Sequence, residues 1–304
     1  MQRPDCGISR RFGTLRFRHR ASSWRKPPRS PAGSIKIQVN MSRPPKYRIY
    51  PSLLDRFNEY RYIDAAIEKP WNADKTPSDV EAEIERGLLD AINRVPSESE
   101  AADRGTAFNE IVDCMIHVGQ SKKIIPIYRE IVALCDTGVG TKPELRPVGH
   151  TAEVVGISTT YNNRTFTFPI SLCREFADYF RGAASQVFCS GTLETQYGDV
   201  ELYGYIDELI QDTVFDIKTT SRYEFGKFRM AWQKDVYPFC LGQMGCRIRG
   251  FEYTVTDFRN TYQEWYDFHY DDSRQRLREH CERFIEFLEA RRDKITDKKI
   301  FNNA

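Results

Sequence analysis

The 304-residue sequence has no uninterrupted apolar run near the roughly 18–20 residues that span a bilayer, and its mean hydropathy is −0.59. A membrane-spanning protein is therefore not expected. None of the eight cysteines forms a C-x-x-C pair, which removes the signature of a zinc ribbon. No apolar secretory stretch precedes them, so free thiols in a reducing compartment are the default. An iron–sulfur cluster would need four thiols to converge, and the Cys240, Cys246 and Cys281 group is a poor start for one. There is no G-x-x-x-x-G-K-[ST] loop, so any helicase motor would be a separate chain. Internal repeats are absent as well.

Net charge is also nearly absent, with 45 Lys and Arg against 43 Asp and Glu. That balance conceals an asymmetry. Residues 1–46 carry twelve Lys or Arg and a single acid, Asp5, while residues 47–304 are net acidic. The first segment lacks sustained apolar periodicity, and such a composition reads as disordered. It could be a nucleic-acid-binding arm, an Arg-rich targeting peptide, or an extension upstream of a start at Met41; the last is preferred. Residues 47–304 are expected to form one domain.

Within that domain the periods change twice. Helices are expected over 50–68, with Ser52 as N-cap; from Ser78, where Ser78 and Glu81 fit a capping box; and over 103–118. Two strands follow around Asn162-Asn163, then a helix over 171–181. Glu194 to Leu209 reads as one strand, Gln211-Asp212 as a turn, and Thr213 to Thr219 as the next strand. A helix over 229–246, a strand near 251–257 and a long helix over 271–293 complete the layout. The expected fold class is α/β, a central mixed β-sheet flanked by helices, with an N-terminal helical elaboration and a β-hairpin insertion.

The chemistry concentrates in Gly204-Tyr205-Ile206-Asp207 and Asp216-Ile217-Lys218-Thr219. With a turn at 211–212, Asp207 and Asp216 fall near matching positions on neighbouring strands. Alternation puts Asp216 and Lys218 on one face and Ile217 on the other. Two carboxylates suit Mg²⁺ or Mn²⁺, hard cations that also grip phosphate oxygens, and a lysine beside them can orient an attacking hydroxide. A D-x-K triplet alone is a weak signal, since on an exposed edge it is a solvated ion pair worth little. Its context strengthens it. Val214-Phe215 makes a buried strand, Gln233 and Tyr237 share a helix face at i and i+4, and so do Asn109 and Asp113.

Gly105 to Asn109, Glu194, Gly204 to Asp207, Asp216 to Thr219 and Gln233 to Tyr237 follow one another in an order that resembles the RecB-type, Cas4-like branch of the PD-(D/E)XK nuclease superfamily. The resemblance covers about residues 50–290. It implies a restriction-endonuclease-like core in which Asp207, Asp216 and the Ile217 carbonyl hold Mg²⁺ or Mn²⁺. It further implies that Lys218 acts on water, while Gln233 and Tyr237 support the site or touch nucleic acid. Asn109 stands where that branch has a metal-binding histidine; its amide oxygen is a weaker ligand for a hard ion, and a surface helix residue is the equal alternative. Glu194 is a lesser metal candidate, because Glu201 is also available. Lys218 to Arg249 holds seven basic residues against two acids, interleaved with aromatics, and Tyr223, Lys227 and Arg229 are the nucleic-acid candidates there.

The expected activity is metal-dependent hydrolysis of DNA phosphodiester bonds by an exonuclease acting on linear or single-stranded DNA. Recombination, repair and phage genome processing would fit, with a separate helicase or recombinase as partner. The expected location is cytoplasmic, bacterial or phage-encoded, with the mitochondrial matrix as the alternative. A catalytically silent nucleic-acid-binding or scaffold protein that retains the fold is the competing reading.

Overall fold

The computed structural model describes residues 44–117, 125–136 and 145–302. Most of the basic segment 1–46 lies outside the described residues. The architecture is α/β: a mixed central sheet with helices on both faces. Its strands are β1 (Tyr47–Ile49), β5 (Ala184–Leu193), β6 (Val200–Ile210), β7 (Thr213–Thr219), β8 (Gly250–Thr256) and β9 (Thr261–Asp267). A separate antiparallel sheet holds β2 (Ile125–Asp136), β3 (Leu145–Tyr161) and β4 (Arg164–Pro169), one strand more than the hairpin expected there.

Side-chain alternation along β7 divides the interior in two. Val214 points into the main core, where α1 (Pro51–Arg61), α3 (Pro77–Ile92), α6 (Gln233–Gln243) and α7 (Tyr270–Ala290) pack. Phe215 and Ile217 point into a second core with α4 (Glu100–Ile116), α5 (Ile170–Tyr179) and the β3–β4 hairpin. On α7 the stripe of Leu277, Cys281, Phe284, Ile285 and Leu288 is wholly buried. Burying each large apolar side chain of this stripe contributes about 2 kcal/mol.

Several expected boundaries shift, each for a local reason. The helix over 50–68 breaks at Tyr62 into α1 and the short α2 (Ile63–Ile67), and its N-cap is Tyr50, because Pro51 takes the first helical position. The capping box of α3 is Thr76 with Asp79, not Ser78 with Glu81; Pro77 again fixes the start. The single strand expected from Glu194 to Leu209 starts only at Val200, as β6; the residues before it form the turn after β5, through Gly198 at φ 115°. The helix over 229–246 is shorter, Gln233–Gln243.

The sheet forks at β6. One edge pairs antiparallel with β5 along most of its length. The other edge is shared: Val200–Leu202 pair with β1 in parallel, and Glu208–Ile210 pair with β7 antiparallel. Between those two ladders β6 and β7 part, and Asp207 lies at the parting, one residue beyond the Glu208↔Phe215 rung. On the β5 side the ladder also breaks, between Ser185↔Glu208 and Val187↔Ile206, where Gln186 takes φ 53°. Such irregularities re-aim side chains, and here one sits beside the residues of interest.

Candidate active site

Asp207 fills the fork. Its Oδ2 accepts the Ile217 backbone N–H at 2.9 Å, replacing the ladder partner that β7 loses when the strands part. The N–H and C=O of one extended residue point to the same side, so the Ile217 carbonyl faces the same gap. Asp216 neighbours Ile217 on the main-core side and is 2 % exposed. Its Oδ2 meets Lys218 Nζ at 2.7 Å and its Oδ1 accepts from Gln233 Nε2 at 2.6 Å. Tyr237 stands one helical turn after Gln233 and presses on Gly204. A Cβ there would lie 2.6 Å from Tyr237 Cε1, so only glycine admits the ring. The structure thus brings together Asp207, Asp216, Lys218, Gln233, Tyr237 and the Ile217 backbone.

Crowding of acids sets the electrostatics. Burial, then the charge of Asp216, pushes the Asp207 carboxyl up to about 7, against the opposing pull of Lys218 and the Ile217 N–H. Asp216 is raised mainly by burial, with Lys218 and Gln233 opposing. Burial pulls the Lys218 ammonium down, but the charge and hydrogen bond of Asp216 outweigh it and the net shift is upward. Lys218 is therefore a cation at neutral pH, not a base.

On the α4 side, Asn109 Nδ2 approaches Asp207 Oδ2 at 3.3 Å, while Asn109 Oδ1 is buried with no hydrogen-bond partner. Asn109, Glu110, Asp113, Gln186 and Asp207 line an open cleft of about 520 Å³. Behind it Glu208 is fully buried, accepting from Ser185 Oγ at 2.7 Å; Ser185 in turn accepts from His117 Nε2 at 2.8 Å. Glu208 Oε1 and Asp113 Oδ1 are buried without a hydrogen-bond partner. Burial first, and then Asp113, raises the Glu208 carboxyl to about 8, while the Ser185 hydroxyl opposes the shift.

Two residues that the sequence did not single out hold the start of α6. Asp55 on α1 accepts the Trp232 backbone N–H at 2.7 Å. Burial raises its carboxyl to about 6, while the Trp232 N–H and the charges of Lys218 and Lys234 hold it down. His280 on α7 stacks on the Trp232 ring at 4.2 Å. Its Nε2 lies 3.1 Å from the Leu54 carbonyl, which can only accept, so Nε2 carries the proton and Nδ1 accepts from Arg61 at 3.1 Å. Burial lowers this histidine to about 4, so it is neutral. Asp55 carried no local signal; His280 could have been found, since it precedes Phe284 by one turn on the apolar stripe.

Other candidates lie elsewhere. Glu194 follows β5 and pairs with Arg274 at 3.3 Å, its side chain 75 % exposed. Its neighbour Leu193 pairs with Val200, seven residues along β6 from Asp207, a separation of roughly 20 Å. Tyr223 donates to Glu264 at 2.9 Å and stacks on Tyr262, and Lys227 binds Thr220 Oγ1 and the Arg222 carbonyl, whereas Arg229 is exposed. Cys240 and Cys281 are buried in the main core and Cys246 is exposed. Among the described residues no three His, Cys, Asp or Glu side chains form a metal-holding group, and no helix is long and apolar enough to cross a membrane.

No family model matches this chain, and no curated protein matches it. Among solved structures, one described as "Crystal structure of SSO0001" aligns with 12 % identity and a TM-score of 0.29, over 37 % of this chain and 55 % of that one. The chain spans about half the length of that protein, and a likeness this slight carries no argument.

Proposed function

We propose that this protein is a metal-dependent deoxyribonuclease of the RecB/Cas4-like branch of the PD-(D/E)XK superfamily, an exonuclease hydrolysing phosphodiester bonds of linear or single-stranded DNA. One observation carries the reading. Asp207 closes the fork onto the Ile217 N–H, directly beside the Asp216–Lys218–Gln233 cluster. The donor set fits Mg²⁺ or Mn²⁺. Mg²⁺ keeps several waters and takes one or two protein carboxylates plus substrate phosphate, so Asp207, Asp216 and the Ile217 carbonyl suffice without a third acidic side chain. Bound there, the ion would polarise the phosphodiester and lower the pKa of a water.

The chain's own groups divide the remaining work. Gln233 fixes the orientation of Asp216 by donating to Oδ1, leaving Oδ2 to Lys218. Lys218, cationic and 27 % exposed, can donate to the attacking oxygen and to the negative charge that develops on the phosphate. Tyr237 packs Gly204 against α6 and sets the distance between helix and fork. Asp207 holds β7 at the parting through Ile217.

The test is digestion of labelled linear, closed circular and single-stranded DNA with Mg²⁺ or Mn²⁺, comparing wild type with Asp216→Ala and Lys218→Ala. The expected result is metal-dependent loss of linear DNA, resistance of closed circles, and at least about a 100-fold slowing in each variant. Cleavage that survives both substitutions overturns the site. Binding without cleavage of any substrate favours the silent scaffold.

A further inference from the structure

The loop from Thr220 to Ala231 joins the two halves of the proposed site, starting two residues after Lys218 and ending two before Gln233. It is pinned along its length. Thr220 N–H donates to Thr256 O at 2.9 Å, Lys227 N–H to Glu224 O at 3.1 Å, Arg229 N–H to Gly226 O at 3.0 Å and Ala231 N–H to Phe228 O at 3.0 Å. Glu264 Oε1 gathers both the Tyr223 hydroxyl at 2.9 Å and the Gly226 N–H at 3.1 Å. The Tyr223 ring stacks on Tyr262 at 4.2 Å, and Phe228 turns inward to within 5.3 Å of the Tyr253 ring.

Phe225, between these anchors, is 92 % exposed. Gly226 at φ 79° turns the chain directly after it. A phenyl ring on a frayed tail needs no explanation, but this one is held out in water by a loop whose neighbours on both sides are fixed. Around it the charge is positive: Arg222, Lys227 and Arg229 against Glu224, which pairs with Arg222 at 3.1 Å. Basic groups neutralise phosphates and an exposed ring stacks on any unpaired base. Within a duplex the base faces are covered by their neighbours, so such a ring selects single strands and frayed ends.

We infer that Phe225 is a stacking residue for an unpaired nucleobase of the strand that enters the site, with Arg222 and Arg229 on the flanking phosphates; this rests on the nuclease reading above. The test uses the metal-free protein in EDTA, so that nothing is cleaved, at one fixed salt concentration. Anisotropy titrations compare a fluorescein-labelled single-stranded 12-mer with the same 12-mer made wholly abasic. Phe225→Ala is expected to weaken binding of the intact strand about tenfold and to leave the abasic strand unchanged, while Phe225→Trp restores wild-type affinity. Equal affinity of Phe225→Ala and wild type for the intact strand overturns the inference. A loss of equal size on the abasic strand overturns it too, since the ring would then contact something other than a base. If stacking is found and no DNA is cleaved with metal, the nuclease reading fails and the base contact stands; cleavage with no stacking effect removes only the inference.

Discussion

The two flanks of the fork solve the same problem in different ways. On the main-core flank, Asp216 is 2 % exposed, with Oδ1 hydrogen-bonded to an amide at 2.6 Å and Oδ2 ion-paired with an ammonium at 2.7 Å. Asp55, nearby, holds a backbone N–H. On the α4 flank, burial raises both the Glu208 and Asp113 carboxyls, and Glu208 Oε1, Asp113 Oδ1 and Asn109 Oδ1 have no hydrogen-bond partner. One flank is balanced by fixed charge, the other by protonation.

The largest expected effect tests the balanced flank. Removing one member of a buried ion pair costs about 3–5 kcal/mol, because it strands the other charge. Lys218 is 27 % exposed, so Lys218→Ala is expected to cost about 3 kcal/mol, near the lower end of that range. The double variant Asp216→Asn/Lys218→Met, which strands nothing, should recover most of it. Urea denaturation at pH 7 measures both. A Lys218→Ala variant within about 0.5 kcal/mol of wild type would show that water already screens the pair.

How much of this contrast was legible in the sequence depends on the range of each interaction. The D-x-K strand, its turn and the helix carrying Gln233 and Tyr237 are local patterns, and periodicity found them. The fork was not legible, because it exists only where β1, more than 150 residues before β6, takes the first rungs of its edge. Glu194 was misplaced because Thr195-Gln196-Tyr197-Gly198-Asp199 makes a turn, and the glycine signal was read through as strand. Thr76-Pro77 was equally visible and outranks Ser78 as a helix start, since proline at the first helical position loses no hydrogen bond. Asp55 and His280 meet Trp232 from two helices far apart in the chain, and no local pattern encodes that.

A smaller effect tests the protonated flank. Glu208 titrates at about 8 in the fold, above its ordinary 4.5, so the native state holds its proton longer than the unfolded chain. Its stabilising contribution is complete below about pH 4.5 and is lost as pH rises toward 8; Asp207, raised to about 7, acts with the same sign. His280 acts oppositely: its lowered value of about 4 makes stability rise with pH between 4 and 6.5. Above pH 6.5 the carboxyls therefore act without it. In EDTA, the wild type is expected to lose about 3 kcal/mol between pH 6.5 and 8.5. Glu208→Gln, which cannot ionise, should lose about a third as much. Parallel urea midpoints for the two proteins across that interval would refute the protonated Glu208.

The smallest expected effect falls on the residue that connects the flanks. Asn109 reaches Asp207 through a long 3.3 Å contact and leaves its Oδ1 empty, so it contributes little to holding Asp207 in place. If that oxygen is a weak ligand at most, Asn109→Ala should change Mg²⁺-supported cleavage by no more than a few-fold. An imidazole at the same position adds a nitrogen donor that favours softer ions. Asn109→His is accordingly expected to raise Mn²⁺-supported over Mg²⁺-supported cleavage by about tenfold, equivalent to ~1.4 kcal/mol. Metal titrations of cleavage rate with the three proteins measure this ratio. A loss in Asn109→Ala as deep as that in Asp216→Ala would make the α4 flank part of the metal's primary ligand set, and the division between the flanks would then fall on the far side of Asn109.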